Sequence, residues 1–144
     1  MKTKTNYLAL FALIFTIGLN AQNYDQRLLQ VYSAERLQQI EQNAPGSIDY
    51  LNFYVRNSYQ FIERPEGKEI ETKELRFVNI QTGAEMSFDL TEADLRNFNP
   101  MLFNCRPGEN HTYYSIGSSN KILMMLSQKE IERRYKLHIE QQKL

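Results

Sequence analysis

The sequence predicts a small α+β protein, with a mainly antiparallel sheet of four to five strands and N-terminal and C-terminal helices packed on one face. Apolar residues recur at helical spacing near both ends of the chain, whereas they alternate with polar residues between them. Turn residues separate the alternating segments into hairpins. Helices before and after a run of hairpins are typical of an α+β arrangement.

The first residues predict a cleaved secretory signal. Two lysines precede an apolar run from Tyr7 to Leu19, and the small Ala21 follows it. This order is typical of a signal peptide, and the run is shorter than the roughly 20 residues of a membrane-spanning helix. An uncleaved anchor is the weaker alternative. The predicted organisation is a signal peptide over residues 1–21 and a single α+β domain over residues 22–144.

Two helical segments follow the signal. Residues 24–43 repeat apolar side chains at helical spacing and predict one helix, which Ser33 can interrupt. Pro45–Gly46 cannot extend a helix and marks a turn. Ser47 then offers an N-cap, so we expect a short helix over residues 48–57.

The middle of the chain predicts one strand and two hairpins. The first hairpin turns at Gly83, which can supply a positive φ, and the second turns at Gly117–Asn120. The last strand is apolar throughout from Ile122 to Leu126, as expected for a central strand covered on both faces. The predicted strands are Tyr59–Glu63, Leu75–Ile80, Glu85–Leu90, Thr112–Ile116 and Lys121–Leu126.

Two capping boxes predict the remaining helices. Thr91 and Asp94 have the spacing that opens a brief helix, and Ser127 and Glu130 have the same spacing before a longer one over residues 128–142. The apolar stripe of the longer helix is narrow. We expect it to dock on the sheet, with a role as an arm for a partner as the alternative.

The charge balance gives no electrostatic attraction toward nucleic acid or an anionic membrane. The chain has 17 Lys and Arg against 17 Asp and Glu. Loss of the two signal lysines leaves 15 basic against 17 acidic side chains, a net charge of −2. Near-neutral chains lack the basic surface that nucleic acid requires, so no nucleic-acid partner is expected. No integral membrane segment is expected after signal cleavage either, since the apolar run lies within the signal.

The sequence contains no pattern that identifies catalytic residues, a metal site or a cofactor site. Cys105 is a single cysteine, so it cannot form an internal disulfide. We expect it to be a buried small hydrophobe, with an intermolecular disulfide or a reactive thiol near His111 as alternatives. The two histidines, His111 and His138, lie on separate predicted elements without a carboxylate at ligand spacing.

Aromatic residues supply the candidate contact residues. The chain has 9 Tyr and 8 Phe, and most of them are expected to fill the core between helices and sheet. Two adjacent tyrosines on a strand face opposite sides, so one of that pair should point outward. The candidate contact residues are Tyr113, Tyr114, Tyr54 and Tyr59.

The signal carries a resemblance to a known class of proteins. Leu19–Asn23 resembles the end of signal peptides from exported envelope proteins of gliding and gut-dwelling Gram-negative bacteria. With its size and the segments Asn57–Tyr59 and Lys121–Leu123, the chain resembles small accessory proteins of the type IX secretion and gliding machinery. The resemblance implies an exported protein in the periplasm, at the outer-membrane periphery or outside the cell, with a protein partner in the envelope.

We therefore expect a non-enzymatic envelope protein that acts through protein–protein contacts. One alternative is a soluble module that binds a small apolar ligand or a glycan between the helices and the sheet, using the Tyr and Phe residues. The other is a hydrolase that uses Cys105 or a pair of carboxylates.

Overall fold

The computed structural model describes residues 23–144, so the predicted signal peptide lies outside the described part of the chain. The chain divides into two compact units, one ending at Ile48 and one running from Asp49 to Leu144. None of the helices built from residues 23–144 combines the length and the apolar character that crossing a bilayer requires.

The first unit contains two helices, α1 (Gln26–Leu29) and α2 (Ala34–Asn43). The Asp25 carboxylate caps the first helix. Ser33 caps the second, because its Oγ accepts the backbone N–H of Arg36 at 3.2 Å. The segment predicted as one helix is therefore two, and the division falls at Ser33, where the prediction allowed an interruption, because Ser33 caps the start of the second helix.

A carboxylate from α2 closes the turn that follows it. Glu41 accepts the backbone N–H groups of Gly46 at 2.9 Å and Ile48 at 3.0 Å. These two bonds lower the pKa of the Glu41 carboxyl. The next helix, α3 (Ser47–Asn57), starts one residue earlier than predicted and includes Ser47.

The second unit contains six strands and two further helices among its described elements. The strands are β1 (Tyr59–Glu63), β2 (Lys73–Glu74), β3 (Arg76–Val78), β4 (Glu85–Ser87), β5 (Thr112–Ser115) and β6 (Lys121–Met125). The helices are α4 (Glu92–Arg96) and α5 (Gln128–Gln142), and a 3₁₀ turn spans Pro100–Leu102.

The strands form two separate sheets. A four-stranded sheet has the order β1-β6-β5-β2, and β3 and β4 form a two-stranded sheet of their own. The β1–β6 and β5–β6 pairs are antiparallel, whereas β2 pairs with β5 in parallel. The α+β class is thus confirmed, but the predicted single, mainly antiparallel sheet is matched only in part, because the first hairpin stands apart and β2 adds a parallel edge.

The separation of the hairpin is explained by the bonds around Leu75. Its backbone N–H donates to Ser115 O at 2.9 Å, which is the last bond to the four-stranded sheet. At the next residue, Arg76, both backbone groups bond to Asn104. The Asn104 N–H donates to Arg76 O at 3.0 Å, and the Asn104 side-chain oxygen accepts the Arg76 N–H at 2.9 Å. The Asn104 side-chain nitrogen also donates to Glu74 O at 2.9 Å. The backbone and side chain of Asn104, with a single antiparallel bridge between Phe77 and Phe103, therefore occupy the edge of β3 that another strand would need.

Strand β6 is the centre of the larger sheet. It pairs with β1 on one side and β5 on the other, and both Ile122 and Leu123 are 0% exposed. Successive side chains of a strand point to opposite faces, so burial of both residues means that both faces are covered. The prediction of a central strand covered on both faces is confirmed.

Aromatic rings fill the core on the Leu123 side. Phe98 stacks on Phe103 with ring centroids 4.7 Å apart, and it meets Tyr59 and Phe61 edge to face. Edge-to-face and offset ring pairs add to the stabilisation that burial provides. The segment between α4 and β5 is thus anchored by its own aromatic residues.

The C-terminal helix docks through one narrow stripe. Ser127 caps it by accepting the Glu130 N–H at 3.3 Å, and Ile131 is fully buried beside Phe53 and Leu126. Tyr135 continues the stripe, with its ring 5.3 Å from that of Phe53. These contacts lie within the second unit, and the predicted bounds of this helix match the observed ones.

Candidate functional site

The two adjacent tyrosines of β5 lie on opposite faces of the sheet. Tyr114 stands opposite Leu123 and is 4% exposed, so its ring belongs to the core. Tyr113 stands opposite Met124 and is half-buried. Of this pair, Tyr113 retains the exposure that a contact residue requires.

The other two candidate tyrosines pack into the same core as Tyr114. The Tyr59 hydroxyl donates to Phe98 O at 3.2 Å, which fixes its ring against the segment that follows α4. Burial raises the pKa of the Tyr54 phenol to about 12, and the neighbouring Cys105 adds to that rise. The structure therefore brings three of the four candidates together in the core and places Tyr113 apart from them.

Cys105 is completely buried next to these rings. Its Sγ donates to Pro100 O at 3.5 Å, and burial raises the pKa of the thiol to about 12 despite the opposing charge of Arg106. His111 Nδ1 accepts the backbone N–H of Ser127 at 2.9 Å, and so anchors the start of α5. Because the reactive form of cysteine is the thiolate, this environment keeps Cys105 in its unreactive form.

The acidic side chains near α4 have structural roles. The Asp94 carboxylate accepts from the Thr91 N–H at 2.7 Å and hydroxyl at 2.6 Å, which completes the predicted capping box and lowers the pKa of Asp94. Glu92 pairs with Lys121 at 3.0 Å. Within residues 23–144, no group of three His, Cys, Asp or Glu side chains is placed to hold a metal ion.

A polar cleft of about 540 Å³ lies after β1. It contains no tyrosine or phenylalanine, so it does not correspond to the tyrosine-lined pocket that the ligand-binding alternative requires. Its lining residues are Arg64, Pro65, Glu66, Gly67, Lys68, Glu69 and Asn120.

Among residues 23–144, three of the exposed large apolar residues lie on the β3–β4 hairpin. Ile80 is 53% exposed, Met86 52% and Phe88 41%; we call these three residues the hairpin surface. Two other large apolar residues are exposed, Leu137 at 45% on α5 and the terminal Leu144, which is fully exposed. Isolated exposed apolar residues are ordinary, whereas several on one small element indicate a contact surface.

The hairpin surface is held by a defined frame. Phe77 lies opposite Met86 across the hairpin, and its ring contacts those of Phe88 at 6.4 Å and Phe103 at 5.9 Å. Phe103 is buried in the core, so the hairpin rests on it through Phe77. Phe77 and Phe88 are therefore anchored to Phe103, while Met86 and part of Phe88 remain exposed on the same face.

The turn of the hairpin is also fixed. Asn79 Oδ1 accepts the N–H groups of Gln81 at 2.9 Å and Thr82 at 3.1 Å, and Gly83 adopts a φ of 72°. A side-chain carbonyl that accepts from the next residues mimics a backbone turn. This confirms the predicted turn around Gly83.

Sequence reasoning did not select the hairpin surface as a contact site. The alternation of Met86 and Phe88 with polar residues predicts a half-buried strand of the main sheet. Its exposure follows from the separation of the hairpin at Asn104, for which the sequence has no local signal. No family model, curated protein or solved structure matches the chain.

Proposed function

We propose that this is a non-enzymatic protein, exported to the cell envelope, that acts by binding another protein through the hairpin surface. The proposal joins the signal-like N-terminus to the exposed apolar residues of the hairpin. Its role is that of an accessory of a secretion or gliding complex, and its place is the periplasm or the outer-membrane periphery.

The exposure of Met86 and Phe88 is the observation that supports a contact role. Met86 is 52% exposed and Phe88 41%, on the same face of the hairpin as Phe77, whose ring contacts those of Phe88 and Phe103. Covering an apolar side chain releases roughly 25 cal/mol per Å² of apolar area, so a partner placed there gains affinity at little cost in ordering the site. The candidate tyrosines contribute less, because Tyr114 is buried and Tyr59 is bonded to the backbone of Phe98.

Site-specific photo-cross-linking tests this proposal. A photoreactive phenylalanine analogue is placed at Met86 in the full chain, expressed in the native envelope and irradiated. Leu137 provides the matched control position, since it is a similarly exposed apolar residue on α5. We expect one envelope protein to cross-link at Met86 and not at Leu137, and Met86→Asp to abolish its co-purification.

Equal cross-linking from both positions, or none from Met86, would contradict the hairpin as the contact site. The export part of the proposal is tested separately by the mass of the native protein. We expect an envelope-fraction chain that begins near Gln22. A chain that retains Met1 and is recovered from the cytosol would refute it.

A further inference from the structure

The outer edge of β4 has backbone groups that face solvent. Within residues 23–144, β4 pairs with β3 alone. Opposed residues of an antiparallel pair alternate between bonded and non-bonded positions. Asn79 donates to Ala84 O at 2.9 Å, so Phe77 and Met86, two residues further along, form the next bonded pair.

Glu85 and Ser87, which flank Met86 in β4, therefore point their backbone N–H and C=O groups away from β3. Ser87 lies opposite Arg76, whose N–H and C=O are both bonded to Asn104. The N–H and C=O of Ser87, and those of Glu85 two residues before it, consequently face away from β3. All three residues of β4 are exposed, so these groups are available for a further strand.

We infer that β4 accepts an extended segment of the partner protein as an added strand, and that this segment alternates apolar and basic side chains. The inference rests on the proposed function and specifies how the hairpin binds its partner. Strand addition obtains affinity from main-chain bonds and specificity from alternate side chains. The outward groups of Glu85 and Ser87 supply the main-chain bonds.

The two faces of β4 define the alternation. Met86 and Phe88 lie on one face, where apolar side chains of the added strand would cover them. Glu85 lies on the other face, where the added strand would place its basic residues opposite a carboxylate. An apolar–basic alternation matches both faces at the period of two that a strand imposes.

Charge near the hairpin favours a basic segment over a second copy of this chain. Arg76 lies opposite Ser87 on the same face of the hairpin as Glu85, and its closest partner is the Glu74 carboxylate at 2.9 Å. Residues 77–95 contain four carboxylates and no lysine or arginine. Lys121 pairs with one of them, Glu92, and the Asp94 carboxylate caps its own helix. Antiparallel pairing of two β4 edges would place the Glu85 carboxylates of both chains on one short strand pair, and like charges across a strand pair are destabilising.

Peptide binding to the full chain tests the inference. The probe is a short fluorescein-labelled peptide in which valine and lysine alternate, followed by fluorescence anisotropy. The first control peptide replaces lysine with glutamate. The second keeps the valine–lysine sequence but carries N-methyl groups on alternate residues, which blocks main-chain pairing without changing the side chains. We expect the valine–lysine peptide alone to bind, and its binding to weaken as salt is raised.

A pair of substitutions at one position isolates the backbone contribution. Ser87→Pro removes the outward N–H and leaves the bonds to β3 in place, because proline is tolerated on an edge strand whose N–H faces solvent. Ser87→Ala is the matched control, since it removes only the hydroxyl that donates to Glu74 at 3.0 Å. We expect Ser87→Pro to weaken peptide binding at least about tenfold and Ser87→Ala to change it less than about twofold. Glu85→Lys serves as a second variant that retains the native backbone, and it should also abolish binding.

The outcomes separate this inference from the proposed function. Failure of the valine–lysine peptide to bind, or equal binding by its N-methylated form, would refute strand addition. Unchanged binding to both Ser87→Pro and Glu85→Lys would do the same. The cross-link from Met86 would still stand in those cases, because it reports contact and not its mode. A concentration-dependent dimer in sedimentation that Ser87→Pro dissociates would assign the edge to a second copy and overturn the basic partner.

Discussion

Replacement of Leu123 by alanine should lower the stability of the second unit more than most single substitutions. Leu123 is 0% exposed and lies on the central strand, between Phe61 of β1 and Tyr114 of β5. The change deletes three buried carbon atoms, worth about 2 to 2.5 kcal/mol at about 0.8 kcal/mol per methylene. Strands on both sides restrict collapse, and a residual cavity of roughly 50 Å³ adds about 1 kcal/mol at about 24 cal/mol per Å³.

The expected loss is therefore about 3 to 4 kcal/mol in the free energy of unfolding. Urea denaturation monitored by tyrosine fluorescence and circular dichroism measures it, provided that both signals give the same midpoint. Leu137→Ala is the matched control, because the same atoms are removed from a side chain that is 45% exposed on a helix. Leu137→Ala should lower the free energy of unfolding by at most about 0.5 to 1 kcal/mol. A loss below about 1 kcal/mol for Leu123→Ala, or equal losses for the two variants, would refute the packing described for β6.

Three further predictions concern single groups. Cys105, with a pKa raised to about 12, should resist a thiol reagent at pH about 8 in the native protein and react at once in denaturant; fast native labelling would contradict its burial. Glu130 has its pKa lowered to about 2 by two arginines, so its stabilising effect should be present above pH about 4.5 and be lost as the pH falls toward 2. The urea midpoints of the native protein and Glu130→Gln should converge over that interval, and a constant difference would argue against the ion pairs. Gly117 has a φ of 47°, and an added Cβ would collide with the Asp89 carboxylate, so Gly117→Ala should destabilise by about 1 to 3 kcal/mol and Asp89→Ala should relieve part of that loss in a double-mutant cycle.

The elements with strong local signals could be predicted from the sequence. The bounds of β1 and of α5 agree with the prediction, because a change of period at Ser58 opens the strand and Ser127 caps the helix. The capping box at Thr91 is present with both of its bonds. In each case the deciding residues lie within a few positions of the element that they define.

Elements that depend on distant residues could not be predicted in the same way. Strand β2 is two residues long within a charged segment, and it exists because Lys73 and Glu74 run parallel to β5, about forty positions away. The turn before α3 is closed by Glu41, several residues upstream. The candidate contact surface belongs to this class as well, since alternation at Met86 and Phe88 indicates a strand but not whether another layer covers it.

The bonds around Asn104 give the hairpin a fixed relation to the larger sheet within the second unit. The Asn104 carboxamide bonds to the backbone of Glu74 in the four-stranded sheet and to the backbone of Arg76 in the two-stranded sheet. Rotation of the hairpin as a body would have to break these bonds and expose the buried Leu75. Occupation of β4 should therefore slow amide hydrogen exchange at Leu75 and Arg76 as well as at the strand that is covered. Exchange at the buried end of the hairpin would then report binding at its exposed edge.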